Sequence, residues 1–85
     1  MDVRALVGRN FARLRAEARL TQEEVAARAN VSQQYLSGLE RGTRNPSIET
    51  LVQIAAALGV GHVALVEPDD VFEESRSMPT AGSDL

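Results

Sequence analysis

Residues 20–41 read LTQEEVAARANVSQQYLSGLER, and this stretch decides the fold because it carries two helix starts separated by one tight turn. Thr21 is a favourable N-cap. Glu24 stands three residues later and completes a capping box, in which each residue's side chain satisfies a free backbone donor of the other. Leu20 and Val25 occupy the positions of a hydrophobic staple, so the chain enters this helix at a defined angle. Val25, Ala26 and Ala29 then form an apolar stripe. Asn30 tolerates the left-handed conformation that ends a helix, and Ser32 caps the next one. The second helix carries Gln33, Gln34, Ser37 and Arg41 on its polar side, with its two carboxamides nearest the N-terminus. Side chains of this kind can read base edges, since a Gln amide matches N6 and N7 of adenine in a bidentate pair.

Outward from this stretch the pattern stays helical. Val3, Val7, Phe11, Leu14 and Ala18 recur with the period of a helix running from Asp2 to Ala18, and Arg4, Arg9 and Arg13 lie off that stripe. The helix after Ser32 closes at Glu40-Arg41-Gly42, with Gly42 in the terminating position. Thr43-Arg44-Asn45-Pro46 is a loop of turn formers. Ser47 caps a fourth helix whose Leu51, Ile54, Ala55 and Leu58 share a face and whose end is marked by Gly59. A short fifth helix is expected from His62 to Val66, and Pro68 stops it. Beyond lies the acidic run DDVFEESRSMPTAGSDL, where Asp69 or Asp70 could cap one further turn through Val71 and Phe72 before ten residues expected to be disordered. The fold class is all-α, five helices and a tail, divided as 1–67 and 68–85.

Composition agrees. A chain of 85 residues with two Phe, one Tyr and no Trp must build one small core from aliphatic side chains and alanine. There is no cysteine, which excludes a disulfide scaffold and cysteine metal ligands. No apolar run approaches the roughly 18 residues of a membrane span, and no signal-peptide core opens the chain. A soluble cytoplasmic protein without a membrane partner is expected. The net charge of −3 is unevenly spread: residues 1–66 hold eight Arg against six acids, whereas residues 67–85 hold six acids and only Arg76. The helical part is thus mildly basic, as phosphate contact requires. All nine basic residues are Arg, which suits phosphate recognition and equally a GC-rich coding sequence.

In combination, LTQEEVA, the V-S-x-x-Y-L-S-x-L-E-R-G run, the N-P-S cap and L-x-x-I-A-x-A-L-G-V strongly resemble the Cro and phage-repressor (Xre-like) helix-turn-helix family over residues 5–66. The Tyr35, Ser37, Arg44 and Asn45 arrangement is similar to that of restriction-modification controller proteins. The resemblance implies a compact five-helix domain of the lambda-repressor type that binds double-stranded DNA as a homodimer, with the third helix in the major groove. It further implies that Gln33, Gln34 and Ser37 face base edges, and that Gln22, Tyr35, Arg44 and Asn45 hold the sugar-phosphate backbone. Arg41, at the end of the third helix, points to phosphate as well. Arg15 and Glu40 match the family's ion pair between the first and third helices.

Three positions depart from the pattern. Arg19 and Asn30 stand where the family often has Gly, and Arg with positive φ costs roughly 1 kcal/mol. The turn after the first helix is therefore expected to differ in detail and to aim Arg19 at the DNA backbone. Gly38 stands mid-helix at a cost of about 1 kcal/mol, so something must require it. Close approach to a base or to another helix would each do so, and Gly38 joins the base-facing set.

Val60, Val63, Leu65, Val66 and Phe72 are more apolar surface than a short final helix needs, which points to a self-complementary dimer interface. His62 has no neighbouring metal-ligand set and reads as a surface or interface residue. Neither a metal, a cofactor nor a small-molecule ligand is expected. An enzyme is disfavoured by the single His, the missing phosphate-binding glycine loop and the small volume. The leading reading is a sequence-specific transcriptional regulator on an inverted-repeat operator. The alternative is an antitoxin or adaptor held to a protein partner by its acidic tail, with DNA binding autoregulatory.

Overall fold

The computed structural model describes residues 2–68, and the five helices among them are α1 (Val3–Glu17), α2 (Gln22–Ala29), α3 (Gln33–Glu40), α4 (Ile48–Leu58) and α5 (Val63–Val66). Each of the first four begins at the residue whose side chain can cap it. Asp2, Thr21, Ser32 and Ser47 all accept backbone N–H bonds from the first turn they precede. Thr21 and Glu24 form the reciprocal capping box at 3.0 and 2.8 Å. The helices end where a residue can turn left-handed, at Asn30 (φ 61°), Gly42 (φ 79°) and Gly59 (φ 77°).

Arg19 corrects an expectation. It adopts φ 60° itself, and its N–H bonds to the carbonyl of Ala16 while that of Leu20 bonds to Arg15. These are the paired closing bonds of a Schellman turn, the same geometry glycine would supply, held here by a residue that bears the steric cost. The turn therefore does not differ in kind.

The core is aliphatic around one phenyl ring: Phe11, Leu36, Leu39, Ile54, Leu65 and Val25 are fully buried. α1 packs on α3 and α5, α2 on α3 and α4, and α4 on α5. Because α1 serves two neighbours, its buried face is wider than the single stripe read from sequence. Leu6, Gly8 and Asn10 join Val7, Phe11 and Leu14 inside, whereas Val3 and Ala18 at the two ends of the stripe are exposed.

Asn10 is the one buried polar side chain among the described residues. Its amide Nδ2 donates to the carbonyls of Leu65 at 2.9 Å and Glu67 at 3.0 Å, and its Oδ1 accepts from Arg13 at 3.3 Å. A four-residue helix leaves all its last carbonyls without intrahelical partners. Asn10 supplies one such partner, at Leu65, and a second bond to Glu67 just past the helix, and so anchors α5 to α1.

Leu65 also needs correction as a dimer-interface residue. It is 0% exposed and belongs to the protomer's own core, because the four-residue α5 covers the core chiefly through this side chain, with Ala64 beside it. Val60 is half-buried against the same core, while Val63 and Val66 remain exposed. Phe72, the further turn and the rest of the acidic segment lie outside the described residues.

Candidate nucleic-acid interface

The turn between α2 and α3 is three residues long, Asn30 to Ser32, and it sets the two helices with their N-termini side by side. Gln33, the first residue of α3, donates from Nε2 to Oε1 of Gln22, the first residue of α2, at 3.4 Å. Both expected backbone- and base-facing amides are thereby brought together on one edge. Gln33 and Gln34 are exposed. Neither is used by the core, which α3 reaches instead through Leu36 and Leu39.

Further along α3, Arg41 donates from Nη1 to Ser37 Oγ at 2.7 Å. Ser37 is half-buried and its hydroxyl is engaged, orienting an exposed guanidinium one turn on. Arg44 lies over the ring of Tyr35, with its guanidinium carbon 5.3 Å from the centroid. Tyr35 is half-buried, so it serves both as packing and as a platform for the cation. Asn45 is exposed beside it in sequence. Arg44 of the 43–46 loop thus folds back toward α3.

Gly38, expected among the base-facing residues, is packed under its own following loop. It is buried, and a methyl group built on it would stand 3.0 Å from Arg44 Nε and 3.1 Å from both Arg44 Cγ and Thr43 Oγ1. The close approach that requires glycine is made by its own loop. Thr43 was not singled out from sequence, yet its hydroxyl donates to the Gly38 carbonyl at 3.0 Å and its N–H does the same. A mid-helix glycine was the available signal, since its propensity cost demands some neighbour, but the identity of that neighbour is a tertiary fact.

Arg15 and Glu40 meet as expected, Nε to Oε2 at 2.7 Å, with side chains 24% and 18% exposed. Arg15 also donates from Nη1 to the carbonyl of Leu20 at 3.0 Å. One guanidinium thus joins the end of α1, the turn before α2 and the last residue of α3. Its worth is geometric, because a pair of this burial contributes little net stability once desolvation is counted.

With two capped helices, a turn through a left-handed Asn and an exposed polar face on the second, the arrangement matches a known family model described as helix-turn-helix over residues 11–65. The chain belongs to the helix-turn-helix family. Within it the group is the Cro and phage-repressor (Xre-like) regulators. Among helix-turn-helix relatives, the HTH-type transcriptional regulator y4dJ of Sinorhizobium fredii is 67% identical over 70 residues, covering 82% of this chain and 91% of that protein. A hypothetical transcription factor from Neisseria, NHTF, superposes with a TM-score of 0.78 at 29% identity, over 85% of this chain and 83% of that one. The restriction-modification controller protein C.Esp1396I, solved as a tetramer on its natural 35 base-pair operator, gives a TM-score of 0.66 at 33% identity, over 85% and 86%. The relatives are transcriptional regulators of the helix-turn-helix type, and so is this chain. No helix of the described residues is long and apolar enough to cross a membrane.

Proposed function

We propose that the protein binds DNA in a sequence-specific manner as a homodimer, on an inverted-repeat operator, and regulates transcription from it in the cytoplasm. The observation that carries this reading is the edge where the half-buried Gln22 meets the exposed Gln33, with the exposed Gln34 next in the chain and the exposed Arg41 and Arg44 at the other end of α3 and in the loop after it. Exposed carboxamides at the start of a short helix, with two cations at and beyond its other end, suit base recognition framed by phosphate contacts. Gln33 and Gln34 read adenine edges, and Ser37 adds a contact shared with Arg41. Gln22, Tyr35, Arg41, Arg44 and Asn45 hold the backbone. The controller protein solved on its operator supports this reading by likeness of fold and sequence.

Dimerisation rests on Val63 and Val66, 60% and 38% exposed on α5, with Val60 beside them. A two-fold dimer repeats the same patch on both protomers and places two copies of α3 on one face of a duplex. The test is selection of bound duplexes from a random pool. Enrichment of a palindrome with half-sites about one helical turn apart is the expected outcome. Recovery of no enriched sequence at low salt would overturn the reading.

A further inference from the structure

We propose that Gly38 is a positioning residue for DNA binding: its missing side chain opens a notch on α3 that seats Arg44 and holds that guanidinium ready for a phosphate. The inference rests on the DNA-binding reading above and concerns how one of its contacts is made.

Gly38 follows Gln34 by four residues and precedes Arg41 by three, so all three share one stripe of α3. On that stripe glycine leaves a gap between two long polar side chains. Arg44 fills it. Its Cγ and Nε would stand 3.1 and 3.0 Å from any Cβ at position 38, closer than such contacts normally come. The guanidinium continues past the gap to lie over Tyr35, 5.3 Å from the ring centroid. Thr43 closes the other side, donating from both N–H and Oγ1 to the Gly38 carbonyl, each at 3.0 Å. The stem, the plane and the loop root of Arg44 are therefore all constrained, although the side chain is exposed.

Constraint of this kind matters for binding. A free arginine loses most of its rotamer freedom when it grips a phosphate, and one already seated loses less. Glycine in a helix interior is otherwise unfavourable relative to alanine, and this one is buried beneath the side chains of its own following loop. The notch gives the glycine a task that alanine could not perform.

The experiment compares the full-length wild type with Gly38→Ala, Arg44→Ala, the double variant and Thr43→Val. Probes are a duplex selected from a random pool and a random-sequence duplex, each titrated over a range of salt, with thermal melting alongside. Arg44→Ala is expected to weaken both duplexes about tenfold, as loss of a charge-assisted hydrogen bond does, and to lower the salt slope by about one unit. Gly38→Ala is expected to melt no lower than wild type and yet to reproduce most of that loss on both duplexes. In the Arg44→Ala background it should cost nothing more. Thr43→Val keeps the glycine and removes the hydroxyl tie, so it tests the same seat if Gly38→Ala folds poorly, with a smaller loss that likewise vanishes when Arg44 is absent. Wild-type affinity and slope in both Gly38→Ala and Thr43→Val, or losses that add in full to that of Arg44→Ala, would overturn the proposal while leaving DNA binding intact. Failure of the wild type to bind either duplex would instead overturn the reading on which it rests.

Discussion

Gln33 and Arg44 are both exposed polar residues, but the structure gives them different kinds of support. Gln33 hydrogen-bonds to Gln22 at a loose 3.4 Å, so its carboxamide is free to exchange that partner for a base. Arg44 is held by a ring and a notch. Reading and positioning should therefore separate under mutation. Gln33→Ala is expected to cost about 1 to 3 kcal/mol on a selected duplex and little on random DNA, because a base contact carries sequence information and a phosphate contact does not. Competition binding against both duplexes checks this. Equal losses on the two, in a variant that keeps its helical circular dichroism, would remove Gln33 from the specificity determinants. Asn10 stands at the opposite pole: its amide is wholly committed to two carbonyls near α5 and is unavailable to any ligand.

Among the elements, the crossing of α1 over α3 decides where the recognition face points. Gly8 makes that crossing possible. A Cβ at this position would lie 2.5 Å from the carbonyl oxygen of Leu39 and 2.7 Å from that of Glu40. Both are backbone atoms at the end of α3, and neither can rotate away. Gly8→Ala should gain up to about 1 kcal/mol of helix propensity. It should lose about 1 to 3 kcal/mol to overpacking, so the net effect is a lower melting temperature. The same displacement would strain the Arg15–Glu40 pair at 2.7 Å, which spans this crossing. Thermal denaturation followed by the helical circular dichroism signal measures the outcome. A melting point at or above wild type would mean that α3 can slide outward without penalty. The contrast with Gly38 is instructive: there the obstructing atoms belong mainly to side chains, which can yield, and so the expected loss appears in binding instead of stability.

For the whole molecule, the question is which apolar surface remains once one protomer has folded. Leu65 is consumed by the core, so an acid there would unfold the domain and report nothing about assembly. Val3, Ile48 and Val52 stay exposed on α1 and α4, and on α5 Val63 and Val66 are left over, three residues apart on one side. Replacing both with glutamate should leave the melting transition cooperative and near wild type while shifting the protein from dimer to monomer. Sedimentation at micromolar concentration resolves the two states. The monomeric form should also bind a palindromic duplex more weakly than the wild type, since two half-sites would no longer be engaged together. A wild type that sediments as a monomer would remove the dimer from the proposed function.

Much of this architecture is written locally. Helix starts at Asp2, Thr21, Ser32 and Ser47 depend on a side chain and a backbone two or three residues away, so the chain determines them without knowing its fold. Helix ends at Asn30, Gly42 and Gly59 are equally local, and the exposed amides at the head of α3 follow from those boundaries. Periodicity could count the helices but not the neighbours each must serve. The inner face of α1 is therefore wider than its periodicity predicts, taking in Leu6, Gly8 and Asn10, and Leu65 lies in the core and not on the surface that its neighbours suggest. The partner of a glycine or a buried amide lies far along the chain, 31 residues away from Gly8 at Leu39 and 55 from Asn10 at Leu65, and only packing brings such pairs together. Close contact between backbones is a property of two elements at once, and no stretch of one of them encodes it.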